Sequence, residues 1–198
     1  PTGKRRGLIA EHLAIYASPF VAAPATGFVF YTTIYVALLT LLPPQFGPEW
    51  QPVVASGMPA ASIIVSLTLG VWALGRISAI RLVQIGFGVG AVAVAGLGLT
   101  WAQPPLATGF ALLLAAAMGI TQGASFASIP QMVSLPEDRA RASGAIAQLG
   151  ELGPTTGTPL LAAMIGAMGP VAFVVFALPL CVGGMAMHAW QASRRARQ

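Results

Sequence analysis

Glu151 stands out as the residue best placed to do chemistry. It lies in "GAIAQLGELGPTTGTP", Gly144 to Pro159, between two apolar runs and just ahead of two prolines. Ten residues separate it from Arg141, a distance of about 15 Å on a helix rising about 1.5 Å per residue. Across a hydrocarbon core about 30 Å thick, that position is near the midplane. No Lys or Arg falls inside any long apolar run, so the chain offers the carboxyl no buried cationic partner. A carboxyl in such surroundings can accept and release a proton as its environment changes. It can also pair with a cationic substrate, or with a basic residue on another segment.

Other polar side chains share this setting. Gln148, Glu151, Thr155 and Thr158 follow i, i+3, i+7, i+10 and fall on one helical face. Pro154 and Pro159 each remove a helical hydrogen bond, leaving the carbonyls of Gly150 and Thr155 without their donors. Together with Gly153 they predict a helix break, which is tolerated at membrane depth only against protein or a water-filled cavity. Tyr31 and Tyr35 are four apart, as are Ser62 and Ser66, while Gln122, Ser125 and Ser128 approach a stripe. Such groups turn toward a bundle interior or toward water, and for Ser and Thr the role of interhelical glue is an equal alternative. The expected cavity lining is Gln122, Gln148, Tyr31, Tyr35, Thr155 and Ser125.

The elements that must position these residues follow from composition. The chain is 56% hydrophobic and 8% charged, with a mean hydropathy of +0.79. Too few charges remain to cover a soluble domain of this size, so the class is an integral membrane protein. Six apolar runs are each long enough to span: about 16–42, 53–74, 82–101, 106–133, 142–168 and 171–190. Net charge is +5, yet the basic residues stand in clusters between or beyond these runs rather than in a nucleic-acid-binding patch. "PPQFGPEWQP", "WAQPP" and "GAMGP" carry no Lys or Arg, whereas "GRISAIR" and "PEDRAR" carry two each, and both chain ends are basic. The positive-inside rule then puts both termini in the cytoplasm. A basic lead-in (1–15) and a basic tail (193–198) flank the transmembrane domain (16–192). The start at Pro1 rather than Met suggests a piece of a longer chain.

The third and sixth runs have almost no polar side chains and read as peripheral scaffold, with Gly86 and Gly90 allowing close helix approach. Glu11 and His12 lack a second constellation and read as interfacially solvated. "PEDRAR" fits the PxDxxR pattern of mitochondrial carriers, but only one of three copies is present. Aquaporin boxes need asparagine, which is absent. Ser125 and His188 invite comparison with a rhomboid protease, but "GASF" lacks the final glycine of GxSG. Met164 and Met168 are packing residues rather than copper ligands. No metal, cofactor or enzymatic activity is expected.

The stretch "GITQGASFASIPQMVSLPEDRARASGAIAQLGELGPTTGTPLL" resembles the tenth and eleventh helices of major facilitator superfamily transporters. Pro130, Pro136, Arg139, Ala142, Gly144, Gly153 and Pro154 occupy the family's places, with Arg141 in the same loop and Ala140 replacing the usual glycine. "GRISAIR" is similar to the basic loop between helices eight and nine, keeping Gly75, Arg76 and Arg81 but lacking the aspartate. The resemblance implies an all-α, six-helix half with a 3+3 inverted repeat, the C-terminal part of a twelve-helix secondary transporter in a bacterial inner membrane. Its helices seven and ten would line a central cavity, with eight and eleven flanking. It implies a small-molecule substrate and a second six-helix half, supplied by the same polypeptide, another subunit or a second copy. Proton-coupled transport is the expected function, and a transport-inactive scaffold subunit is the alternative.

Overall fold

A computed structural model describes residues 7–197. Lys4, Arg5 and Arg6 of the basic lead-in, Gln198, and the side chains of Leu8 and Glu11 lie outside what is described. The protein is 86% helix, with no strand among the described residues.

Helix α1 (Leu8–Ala17) ends at Ser18, whose ψ of 119° leaves the helical region. Pro19 follows and disfavours helical geometry in the residue before it. The expected first span therefore shortens to α2 (Ala22–Leu41), and Tyr16 belongs to α1 instead. A 3-10 turn at Pro43–Gln45 leads to α3 (Gln51–Val65). This helix continues through a π-helical stretch, Ser66–Gly70, into α4 (Val71–Leu74), making one rod. Helix α5 (Ala79–Leu99) is capped by Ser78, whose Oγ accepts from the Arg81 N–H at 3.4 Å. Helices α6 (Pro104–Met132), α7 (Pro136–Met168) and α8 (Val171–Arg195) complete the chain. Gly169, with φ +62°, ends α7 in a conformation open to glycine.

Among the described residues five segments are long and apolar enough to cross a membrane: α2, the α3–α4 rod, α5, α6 and α8. Helix α7 is the longest at 33 residues, about 50 Å of helix, but its Gly, Thr, Gln and charged residues dilute its apolar content. The expected break at Gly153, Pro154 and Pro159 is corrected here, because α7 runs unbroken through all three. Each proline removes a hydrogen bond and crowds the carbonyl four residues back, while its fixed φ suits a helix. Packing opposes the cost: Gly153 and Gly157 lie against Thr32 and Thr33 of α2.

The main pairings are α2 with α7, α5 with α6, α3 with α6, α5 with α8, and α2 with α8. Helix α2 is the most enclosed, with 61% of its apolar window buried, whereas the α3–α4 rod has 22%. Helices α5 and α8, expected at the periphery, have shares of 44% and 39%, below α6 at 50% and above the rod. The outermost element is the α3–α4 rod, with Ile63, Ile64, Leu67, Val71 and Trp72 all exposed. Glycine sets how closely α5 packs: Gly86 and Gly90 receive Thr121 and Met118 of α6. Small residues allow this close approach.

The two ends of the bundle are held differently. At one, Arg139 Nε donates to the Val133 carbonyl at 2.8 Å, and Gln131 Oε1 accepts from the Ala79 N–H at 2.9 Å. Arg194 and Arg195 there donate to the carbonyls of Ala17 and Pro19 at 2.8 and 3.0 Å. Arg76 lies over the Trp72 ring, 3.9 Å from its centroid, and Arg141 pairs with Asp138 at 2.9 Å. The opposite end is closed by aromatic rings, with Trp101 5.8 Å from both Phe46 and Phe173.

These close approaches predict a contrast between glycines. A Cβ on Gly153 would meet Thr32 Oγ1 and the Thr33 backbone, whereas nothing lies within 4 Å of one on Gly144 or Gly166. Gly153→Ala is expected to lower thermal stability in detergent by about 1–3 kcal/mol through overpacking. Gly166→Ala is expected to be neutral or to stabilise by about 0.5–1 kcal/mol through helix propensity. Fluorescence-detected melting curves of the two variants check both signs.

A candidate polar groove between α2, α6 and α7

Three helices converge on an open groove of about 350 Å³. Helix α2 contributes Phe28, Tyr31, Thr32 and Val36, and α6 contributes Gln122 and Phe126. Helix α7 contributes Ser143, Ile146, Ala147, Gly150, Glu151 and Pro154. Helical periodicity accounts for each set. Phe28, Thr32 and Val36 recur every four residues, as do Gln122 with Phe126, while Ser143, Ala147, Gly150 and Pro154 step by four, three and four along one face.

Glu151 sits near the middle of α7 with its side chain exposed. Pro154 has no N–H to give the Gly150 carbonyl, so that carbonyl lacks its helical donor, and both residues line the groove. Thr155 Oγ1 donates to the Glu151 carbonyl at 2.6 Å, a bond back onto its own helix beside the acid.

Aromatic rings form the opposite wall. Phe28 lies 5.0 Å from Tyr31 and 5.3 Å, edge to face, from Phe126. Tyr35 stacks behind Tyr31 at 5.6 Å. Separations of this size suit the ring quadrupoles and hold the wall in place. Phe28 and Tyr31 are almost wholly buried, while Phe126 is 46% exposed and presents its ring outward.

Of the residues singled out in sequence, the groove brings together Tyr31, Gln122, Glu151 and Pro154. The others lie elsewhere. Gln148 turns toward α1: its Oε1 accepts from the Tyr16 hydroxyl at 3.3 Å, and its Nε2 is 3.3 Å from His12 Nε2. Ser125 is fully buried and donates to the Thr121 carbonyl at 2.7 Å, so its hydroxyl is used inside its own helix. Thr155 is exposed and lies outside the lining. Tyr35 backs the wall rather than forming it, with Ser62 beside its hydroxyl. Pro159 lies beyond the groove, as do Arg76, Arg81, Pro136, Arg139, Arg141 and Gly144. Phe28 and Phe126 escaped notice because an aromatic residue in an apolar run carries no signal until a neighbouring helix shows which side is open.

A second polar cluster was likewise hidden. His188 of α8 is fully buried against Gly27 of α2, and neither ring nitrogen has a hydrogen-bond partner among the described residues. One turn on, Gln191 Nε2 donates to Thr26 Oγ1 at 3.3 Å. Among the described residues, no group of three or more His, Cys, Asp or Glu could hold a metal ion.

No protein-family model, curated protein or solved structure matches the chain.

The groove geometry predicts a labelling pattern. Gln122→Cys and Glu151→Cys should react with a membrane-impermeant maleimide in proteoliposomes. Ser125→Cys and the native, fully buried Cys181 should stay unlabelled until the protein is denatured. Equal labelling of Ser125→Cys and Gln122→Cys would contradict the assignment of faces on α6.

Proposed function

We propose that this chain is one six-helix half of a secondary transporter of the major facilitator type, moving a small solute by alternating access with Glu151 coupling the movement to protons. The observation that carries this reading is a lone mid-helix carboxyl in an open groove where α2, α6 and α7 meet. An acid on an outward-facing surface at that depth is costly in lipid, so it calls for a covering partner and an aqueous path. A second half seated over the groove supplies both. That half is the N-terminal part of the same polypeptide, another subunit, or a second copy.

The helix pairings support the same reading. Exchanging α2 with α6, α3 with α7, and α5 with α8 turns α2–α7 into α6–α3 and α5–α6 into α8–α2, and leaves α5–α8 unchanged. All five main pairings survive the exchange, as a 3+3 repeat requires. The described arginines gather at one end of the bundle, which supports cytoplasmic termini in a plasma membrane of bacterial type.

Reconstitution tests the proposal. Proteoliposomes holding the complete transporter should accumulate a solute when a pH gradient is imposed. Glu151→Gln should abolish the response to the gradient while sparing solute exchange at equal pH. An unchanged pH response in that variant would remove the coupling role. Failure of every gradient to move any solute would favour the transport-inactive scaffold.

A further inference from the structure

We propose that the groove is selective for organic cations carrying apolar, aromatic bulk. The inference rests on reading the groove as the substrate path, but binding alone tests it.

Charge is the first observation. Among its lining residues Glu151 is the one carboxyl, and none is Lys, Arg or His. An anion would meet the carboxylate with no counter-charge at the wall. A cation meets the carboxylate and the Gly150 carbonyl, whose helical donor Pro154 removes. Arg76, Arg139, Arg141, Arg194 and Arg195 are engaged elsewhere, on backbone carbonyls, on a Trp ring or with Asp138.

The aromatic wall is the second, independent observation. Phe28, Tyr31 and Phe126 form one connected cluster of rings, of which Phe126 is open while the nearly buried Phe28 and Tyr31 back it. Ring faces attract a cation through their quadrupole, most strongly when it is partly desolvated. A carboxylate alone would suit a small hydrated ion as well. The open Phe126 ring in the same lining adds apolar area that a hydrated metal ion cannot use. Volume agrees, because about 350 Å³ lies within the roughly 300–1,000 Å³ range of small-molecule sites. Gln122 adds a neutral polar contact on the α6 side without altering the charge balance.

The test uses two ions of nearly identical shape and opposite charge, tetraphenylphosphonium and tetraphenylborate. Equilibrium dialysis against the purified full chain in neutral detergent, with empty micelles as the blank, measures each. Saturable phosphonium binding is expected, with borate showing only micelle partitioning. Glu151→Gln should weaken phosphonium binding by about tenfold or more, the scale of losing one charged partner. Phe126→Ala should weaken it by about threefold to tenfold, and Phe126→Tyr should restore it. Both positions are exposed, so the variants should elute in size exclusion like the parent protein. Equal binding of the two ions, or phosphonium binding indifferent to Glu151→Gln, would overturn the proposal. Transport of another solute without phosphonium binding would defeat this inference alone. Phosphonium binding without transport of any solute would defeat the transport reading and leave the site intact.

Discussion

Close backbone approach at small residues is the constraint on which the rest of this bundle depends. Between helices in an apolar solvent, burying apolar area adds little, so contact must come from shape. Gly153 and Gly157 bring α7 against Thr32 and Thr33 of α2, and Gly119 brings α6 against Ser62 of α3. The first of these contacts places the acid. With α7 drawn onto α2, Gly150, Glu151 and Pro154 face the side where Tyr31 and Thr32 emerge. A larger residue at 153 would push the two walls of the groove apart.

Proline has a different role in this setting from the one it has in a soluble helix. Pro154 and Pro159 lie inside α7 and the helix continues past both. What Pro154 changes is local hydrogen bonding: the Gly150 carbonyl, next to Glu151, loses its helical donor. Elsewhere the hydroxyls of Thr32, Thr33, Thr121 and Ser125 turn back onto their own helices. Most Ser and Thr groups are thereby satisfied locally, which leaves Glu151 and Gln122 as the prominent polar side chains of the groove. The buried His188–Gln191–Thr26 group sits in a separate interface, between α8 and α2.

Resemblance and packing meet at the same helices by different routes. The stretch whose sequence resembles transporter helices spans the end of α6 and most of α7, both of which line the groove. The third wall, α2, lies outside that stretch. Its place follows from being the most enclosed helix, in contact with both α7 and α8.

The amino-acid sequence by itself determined the class of the protein and the position of its polar residues along each helix. Apolar content, the length of the runs and the clustering of Arg between them are additive properties that can be read without neighbours. Helical period likewise put Glu151 at mid-helix and paired Tyr31 with Tyr35. The tertiary structure alone decided which face of each helix is covered. Gln148 and Glu151 share a stripe in sequence, yet one turns to Tyr16 and the other opens into the groove. Helix α5, featureless in sequence, packs closely because its glycines admit α6, while the α3–α4 rod is left outermost. The physical reason is that periodicity sets the angle of a side chain around its own axis, whereas burial depends on where other axes pass. Those positions are set by glycine-sized notches, and a notch has meaning only together with the side chain that fills it.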